Sequence, residues 1–172
     1  MSPLEYRALR DAAKSDTRIY SVIELFLQTG IRISEVANLR LTDVKSESLF
    51  IRPFEGRPER EIPLNKPAKT ALQSYLDIRG QTQNDHVFIT KTGRQLLVRN
   101  IRNSIDRYFK IAGITYAKVN DLRHTWIAHH LQNGTSLLLV SKIAGHKRLS
   151  TTERYLDLVK DQKEEKTKLE EL

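Results

Sequence analysis

The sequence predicts a mainly helical domain that carries a small antiparallel β-sheet on one edge (α+β). Several long segments repeat apolar side chains at the spacing of an amphipathic helix, and short extended runs flank the turn at 54–58. The chain has 172 residues, of which 39% are hydrophobic, enough to fill one sizeable core. We therefore expect one domain that is mostly helical, with a hairpin.

Helix-start and helix-stop residues define the first three predicted helices. Ser2-Pro3 suits a helix start because proline in the first turn gives up an N–H that no helical carbonyl would accept. Asp16 or Thr17 suits the cap of a second helix, and glycine at its end reverses the chain without steric cost. The helices are predicted at 2–13, from Asp16 or Thr17 to Gly30, and from Ser34 onward.

A change to short apolar runs after Leu41 predicts extended structure. Residues 49–52 and 59–64 flank a turn that contains Gly56 and Pro58, which indicates a hairpin. Residues 87–89 predict a further strand, followed by a turn at 90–93. Helical periodicity is found at 66–78, between the hairpin and this strand. It is found again at 97–112, where the outer face of the predicted helix is basic.

The stretch 119–155 carries the residues with the strongest chemical interest. It predicts a helix over about 120–132 closed by Asn133-Gly134, a helix over 137–144 ended by Gly145, and a third helix started by a capping box from Ser150 to Glu153. Three side chains from this stretch are predicted to face one point, an arrangement that suits a phosphate. They are Arg123 on the first helix, His146 just after the second and Tyr155 in the third.

The charge of the chain indicates a polyanionic partner. The formal net charge is +8, and residues 89–123 contain eight Lys or Arg against two Asp. A basic but inert surface is the alternative that composition leaves open. There is no cysteine, which excludes disulfides and thiolate chemistry, and no long apolar run, so we expect an intracellular protein with no membrane segment.

Three motifs together resemble the catalytic domain of the tyrosine recombinases, the phage integrase and Xer family. They are TGIRISEVANLRLTDV at 29–44, LRHTWIAHHL at 122–131 and IAGHKRLSTTERY at 143–155, in the family's order and at about its spacing. The resemblance covers nearly the whole chain, from about residue 1 to residue 159. It implies the tyrosine recombinase catalytic-domain fold.

The resemblance also implies a reaction and the residues that carry it. The chain is expected to be a site-specific recombinase or integrase that cleaves and rejoins DNA strands through a 3′-phosphotyrosyl intermediate, without metal or cofactor. Tyr155 is the expected nucleophile, Arg32 and Arg123 clamp the phosphate, and His146 hydrogen bonds to it. Asn120 stands where the family more often has a histidine.

A second catalytic position also departs from the family. Glu55 aligns with a hairpin lysine that protonates the leaving 5′-oxygen, so Lys91 and Arg57 become the candidate proton donors, although a guanidinium gives up its proton poorly. Two alternatives stay open: a catalytically weakened DNA-binding relative, and a type IB topoisomerase-like nicking and closing enzyme. The expected DNA-binding residues are Arg94, Arg99, Arg102, Lys147 and Arg148.

The remaining histidines are interpreted as packing and surface residues. The spacings from His124 to His129 and His130 do not repeat one helical face, and no carboxylate joins them, so no metal site is predicted.

The resemblance further implies an organisation and partners. Residues 1–159 are expected to form the catalytic domain, and residues 160–172 a charged tail that docks on a neighbouring protomer, while an N-terminal core-binding domain is absent. The expected partner is double-stranded DNA, bound by a homo-tetramer whose protomers are weakly associated or monomeric alone. The expected location is the cytoplasm, at the nucleoid.

Overall fold

The computed structural model describes residues 1–157 and is mainly helical, as the sequence predicts. The α-helices with both ends in this range are α1 (Pro3–Ala13), α2 (Thr17–Thr29), α3 (Ile33–Asn38), α4 (Lys66–Ile78), α5 (Val98–Ile111), α6 (Val119–Gln132) and α7 (Leu137–Ala144), and a short 3-10 helix spans Leu41–Asp43. Strands β1 (Ser48–Ile51) and β2 (Arg60–Pro63) pair antiparallel. Residues 150–157 are also helical. The predicted tail at 160–172 lies outside the described residues.

The helix ends lie where the local sequence places them. Ser2 caps α1 in a reciprocal pair with Glu5, and the Asp16 side chain caps α2 by accepting from the amide of Ile19. Gly30 and Gly145 end α2 and α7 in the left-handed conformation, with φ of 61° and 65°. Gly30 and Gly145 thus reverse the chain at two positions that border the candidate site.

The hairpin projects a tight turn at its tip. Leu49 pairs with Ile62 across the two strands, and both side chains are fully buried. At the tip, Phe54 and Arg57 exchange two backbone hydrogen bonds of 3.2 and 3.0 Å. Glu55 and Gly56 between them both have positive φ, the signature of the turn that best matches the twist of paired strands.

Two local predictions are wrong. Residues 87–89 do not form a strand. Ile89 makes an isolated bridge to Gln95, and His86, just before the predicted strand, makes one to Arg40, so no two consecutive residues share a partner strand. The predicted capping box is also replaced. The amide of Glu153 donates to the carbonyl of Leu149 at 3.0 Å, which makes Ser150 the first helical residue rather than the cap.

A second apolar cluster, beside the main core, carries the end of the described chain. Its buried members are Trp126, Ile127, Leu131, Val140 and Ala144, and Tyr155 and Leu156 pack against it. The Trp126 ring lies flat against Gly30, and its indole N–H donates to the carbonyl of Gln28 at 3.0 Å. This contact fixes α6 against the end of α2.

Within residues 1–157, no helix combines the length and apolar character needed to cross a lipid bilayer.

Candidate active site

Two of the predicted site residues meet at the C-terminal end of α7. Arg32 Nη1 and Arg123 Nη2 both donate to the carbonyl oxygen of Ala144, each at 2.8 Å. Arg32 also donates to Gly145 at 2.7 Å, and Arg123 to the carbonyl of Gly30. Segments more than 90 residues apart therefore bring both guanidinium groups to one point.

A third arginine, Arg60 on β2, completes the cluster and was not predicted from the sequence. Its Nε donates to the carbonyl of Ile143 at 2.7 Å, and its two Nη atoms bind the two oxygens of Glu35 at 2.8 Å each. The side chain is only 7% exposed. The lack of a side chain at Gly145 leaves room for Arg60, because a Cβ there would lie less than 3 Å from three atoms of the Arg60 guanidinium.

Glu35 is the carboxylate that orders this cluster. It accepts from the backbone amide of Arg32 at 2.9 Å and from the Arg32 guanidinium at 3.3 Å, besides its two bonds from Arg60. Burial opposes its charge, but the hydrogen bonds and charge of Arg60 outweigh burial and leave the pKa of Glu35 below its usual value. Glu35 therefore holds two arginines, Arg32 and Arg60, in place.

The cluster holds more positive charge than its carboxylate neutralises. Burial, followed by the neighbouring charge of Arg32, lowers the pKa of Arg123 to about 9. Burial is also the main cause that lowers the pKa of Arg32. Such shifts mean that the free site already disfavours its own charges, and an anion placed among them relieves that cost.

His146 and Tyr155 lie beside the arginines with their rings nearly parallel. The ring centroids are 6.3 Å apart at an interplanar angle of 13°, and His146 Nδ1 is 2.7 Å from the hydroxyl of the fully buried Thr152. Burial, followed by the charges of Arg123 and Arg32, lowers the pKa of His146 to about 4. The imidazole is therefore neutral near pH 7 in the free protein.

Burial raises the pKa of Tyr155, while the charges of Arg123 and Arg32 act in the opposite direction. The phenol is half-buried, against the second apolar cluster. The site therefore combines a half-buried phenol with two cations that favour its ionised form.

The other histidines divide into two groups. His130 packs on Trp126 with ring centroids 4.5 Å apart, and His129 is exposed, as expected for packing and surface residues. His124 instead approaches Tyr155 edge-on at 5.7 Å, with Nδ1 at 3.4 Å from a carboxylate oxygen of Asp121. That contact was not predicted, since it joins α6 to a helix more than 25 residues later.

Asn120 and the candidate proton donors lie at more open positions. Asn120 is exposed in the first turn of α6, and Lys91 is exposed in the turn at 90–93. Arg57 pairs with the Glu55 carboxylate at 3.3 Å in the hairpin tip. Within residues 1–157 no group of three His, Asp or Glu side chains is arranged to hold a metal ion.

The predicted DNA-binding residues are all exposed. Arg99 and Arg102 lie on the outer face of α5, and Arg94 follows the turn at 90–93. Lys147 and Arg148 directly follow His146, and Lys147 Nζ reaches the hairpin tip, where it donates to the carbonyl of Glu55 at 2.8 Å.

Comparison with known proteins identifies relatives of this arrangement. A model of the phage integrase family matches residues 1–162. The tyrosine recombinase XerC of Corynebacterium glutamicum is 30% identical over 154 residues, covering 88% of this chain and 47% of that protein. XerC of Corynebacterium efficiens is 34% identical, covering 86% of this chain and 49% of that protein. The chain thus spans about half the length of the curated relatives it matches.

Solved structures show the same fold. The crystal structure of XerA recombinase superimposes with a TM-score of 0.83 at 33% identity, covering 90% of this chain and 58% of that one. A post-cleavage complex of XerH site-specific recombinase with a palindromic difH substrate gives a TM-score of 0.81 at 22% identity, covering 100% of this chain and 53% of that one. The predicted catalytic-domain fold is therefore confirmed.

Proposed function

The chain belongs to the phage integrase family, and from that premise we propose that it is a site-specific DNA recombinase. It cleaves one strand of double-stranded DNA at a time and holds the broken end as a phosphotyrosyl ester. The observation that carries this proposal is the meeting of four side chains beside the end of α7: Arg32, Arg123, His146 and Tyr155. A module that only binds DNA needs no half-buried tyrosine beside three arginines.

In the proposed first step, Tyr155 Oη attacks the scissile phosphorus. The phenol gives up its proton to solvent as a bond forms between this oxygen and phosphorus. The bond to the 5′-oxygen breaks and that oxygen takes up a proton, which yields a 3′-phosphotyrosyl link and a free 5′-hydroxyl. The energy of the phosphodiester is kept in the ester. Rejoining follows when a 5′-hydroxyl attacks the ester and releases Tyr155, so the cycle consumes no nucleotide.

Arg32 and Arg123 neutralise the charge that grows on the non-bridging oxygens during attack. Each guanidinium has five N–H groups, and the bonds to Gly30, Ala144 and Gly145 orient them while leaving further N–H groups for a phosphate. Donors that are fixed before the reaction stabilise a transition state without reorganisation. One such donor is typically worth about 10²–10³ in rate.

His146 supplies a hydrogen bond rather than a charge. We propose that the Thr152 hydroxyl, 2.7 Å from Nδ1, donates to that nitrogen, so that the neutral ring carries its proton on Nε2 and offers it to a phosphate oxygen. Asn120 adds a hydrogen bond at most, because an amide cannot take up a proton and stay cationic. Loss of the Tyr155 proton therefore depends chiefly on the charges of Arg123 and Arg32.

The proposal extends to organisation and partners. Residues 1–159 act as the catalytic domain, and four protomers assemble on two DNA duplexes so that one strand's 5′-hydroxyl can attack another strand's ester. XerH in its solved complex is bound to DNA of a palindromic site, which supports a two-fold arrangement of this kind. The protein then works on chromosomal or mobile DNA at the nucleoid.

Covalent trapping on a nicked suicide duplex tests the proposal. The duplex is first selected by the protein itself from fragments of the source genome, and the nick lets the short piece that carries the new 5′-hydroxyl diffuse away after attack. We expect an adduct that survives denaturation with the natural chain and none with Tyr155→Phe, which keeps the ring and its packing.

The outcomes separate the candidate functions. Tight binding of the selected duplex without any adduct would contradict the recombinase proposal and leave a DNA-binding relative. An adduct together with relaxation of supercoiled DNA and no strand exchange would indicate a topoisomerase-like enzyme instead.

A further inference from the structure

Lys147 connects the turn after α7 to the tip of the hairpin. Its ammonium donates to the backbone carbonyl of Glu55 at 2.8 Å, although the two residues are 92 positions apart in the chain. A Cβ on Gly56 would lie 3.2 Å from the same nitrogen. The ammonium therefore sits directly against the two central residues of the turn.

Lys147 and the hairpin that it contacts are each connected to the arginine cluster. Lys147 follows His146 in sequence, and the hairpin reaches the cluster through Arg60, which donates to the carbonyl of Ile143 at 2.7 Å. One carbonyl engages one of the three N–H bonds of an ammonium, so two remain for other acceptors. Lys147 is exposed, and an incoming DNA strand can reach it.

The proposed reaction needs a proton donor for its leaving group. The departing 5′-oxygen is an alkoxide unless it gains a proton as its bond to phosphorus breaks. Glu55, at the hairpin tip, has no N–H to give in its ionised side chain. Arg57 pairs with Glu55 at 3.3 Å, and a guanidinium holds its proton too tightly to act as a general acid.

We propose that Lys147 protonates the leaving 5′-oxygen, an inference that rests on the proposed recombinase function. As the bond from Tyr155 Oη to phosphorus forms and the bond from phosphorus to the 5′-oxygen breaks, one ammonium proton passes to that oxygen. The amine that remains takes up a proton from solvent, or takes it from an attacking 5′-hydroxyl during rejoining. The Glu55 carbonyl orients the ammonium, so an acidic residue at position 55 is compatible with catalysis.

This role differs from simple phosphate binding, which the sequence also allows for Lys147. A phosphate contact affects binding of any substrate, whereas a proton donor matters only when the leaving group needs a proton. A duplex with sulfur in place of the bridging 5′-oxygen distinguishes a phosphate contact from a proton donor, because a thiolate leaves without protonation.

The test compares cleavage of the oxygen and sulfur duplexes, at saturating protein, by the natural chain and its variants. We expect Lys147→Ala to lower the rate by about 10²–10⁴-fold on the oxygen duplex and to change it by less than about threefold on the sulfur duplex. Lys147→Arg keeps the charge but should show the same pattern. Arg148→Ala, the adjacent exposed cation, is the matched control and should respond equally to both duplexes.

Three other outcomes would overturn either the assignment of Lys147 or the proposed function. An equal loss on both duplexes for Lys147→Ala would overturn the assignment and leave Lys147 as a phosphate contact. Selective rescue of Lys91→Ala by sulfur, with Lys147→Ala unaffected on oxygen, would assign the role to Lys91 instead. Failure of the natural chain to form an adduct with either duplex would contradict the proposed function itself.

Discussion

At the scale of single residues, the candidate site is organised by three successive backbone carbonyls. Arg60 binds the carbonyl of Ile143, Arg32 and Arg123 share that of Ala144, and Arg32 also binds that of Gly145. These carbonyls carry the negative end of the α7 dipole, which partly offsets the buried positive charge. Glu35 neutralises part of the remainder, and a phosphate is suited to complete the balance.

The buried imidazole of His146 predicts a pH dependence of stability. Its pKa is about 4 in the folded protein, below the usual value of about 6.5, so the unfolded chain binds a proton more readily between these values. The free energy of unfolding should therefore rise with pH through this window, and fall as the protein is acidified. Because the ring is only half-buried, we expect His146 to contribute about 1–2 kcal/mol of this change.

Urea unfolding of the DNA-free protein at several pH values measures that contribution. His146→Asn should flatten the pH dependence by the stated amount, whereas His129→Asn, which changes an exposed histidine, should leave it intact. Equal profiles for the natural chain and His146→Asn would show that this imidazole titrates normally when the protein is folded.

At the scale of elements, the end of α2 requires a glycine at position 30 for two separate reasons. Gly30 adopts φ 61°, and a Cβ on it would lie no more than 3.0 Å from three carbons of the Trp126 ring. Gly113, after α5, has a similar φ of 74° but no atom within 4 Å of its Cβ position. Comparing alanine substitutions at Gly113 and Gly30 therefore separates the cost of the backbone conformation from the cost of a steric clash.

We expect Gly113→Ala to lower the free energy of unfolding by about 1 kcal/mol, the cost of a side chain in the left-handed region. Gly30→Ala should cost about 2 kcal/mol more, because the Trp126 ring must also move. Denaturant unfolding of the two variants gives both values. If they lose equal stability, the ring does not lie against Gly30 as described.

Local elements were predictable from the sequence, but long-range contacts within the site were not. Caps such as Ser2 with Glu5 and turns at Gly30 and Gly145 act within a few residues, so their sequence patterns suffice. The bonds of Arg60 and Lys147 span 83 and 92 residues, and no local pattern encodes them. Arg60 in particular sits in a short strand, where a charged residue ordinarily indicates a solvent-facing position.

At the scale of the whole molecule, the net charge of +8 is spread so that DNA binding should depend strongly on salt. Removing one cation that binds a phosphate should reduce the slope of log affinity against log salt by about 1. We expect this for Arg99→Ala and Arg102→Ala on the exposed face of α5. Fluorescence anisotropy with a labelled duplex measures the slopes.

Lys69→Ala is the control for that measurement, because Lys69 pairs with Glu47 on the surface. It should leave the slope unchanged. Slopes that are the same for all three variants would place the DNA on another face of the protein.

The most direct test of the account is to locate the covalent bond between protein and DNA. After trapping and nuclease treatment, trypsin should release the peptide of residues 155–160, YLDLVK, which begins at the proposed nucleophile. Mass spectrometry should find this peptide carrying a nucleotide through its 3′-phosphate on Tyr155. A nucleotide on any other residue, or one linked through a 5′-phosphate, would contradict the proposed chemistry.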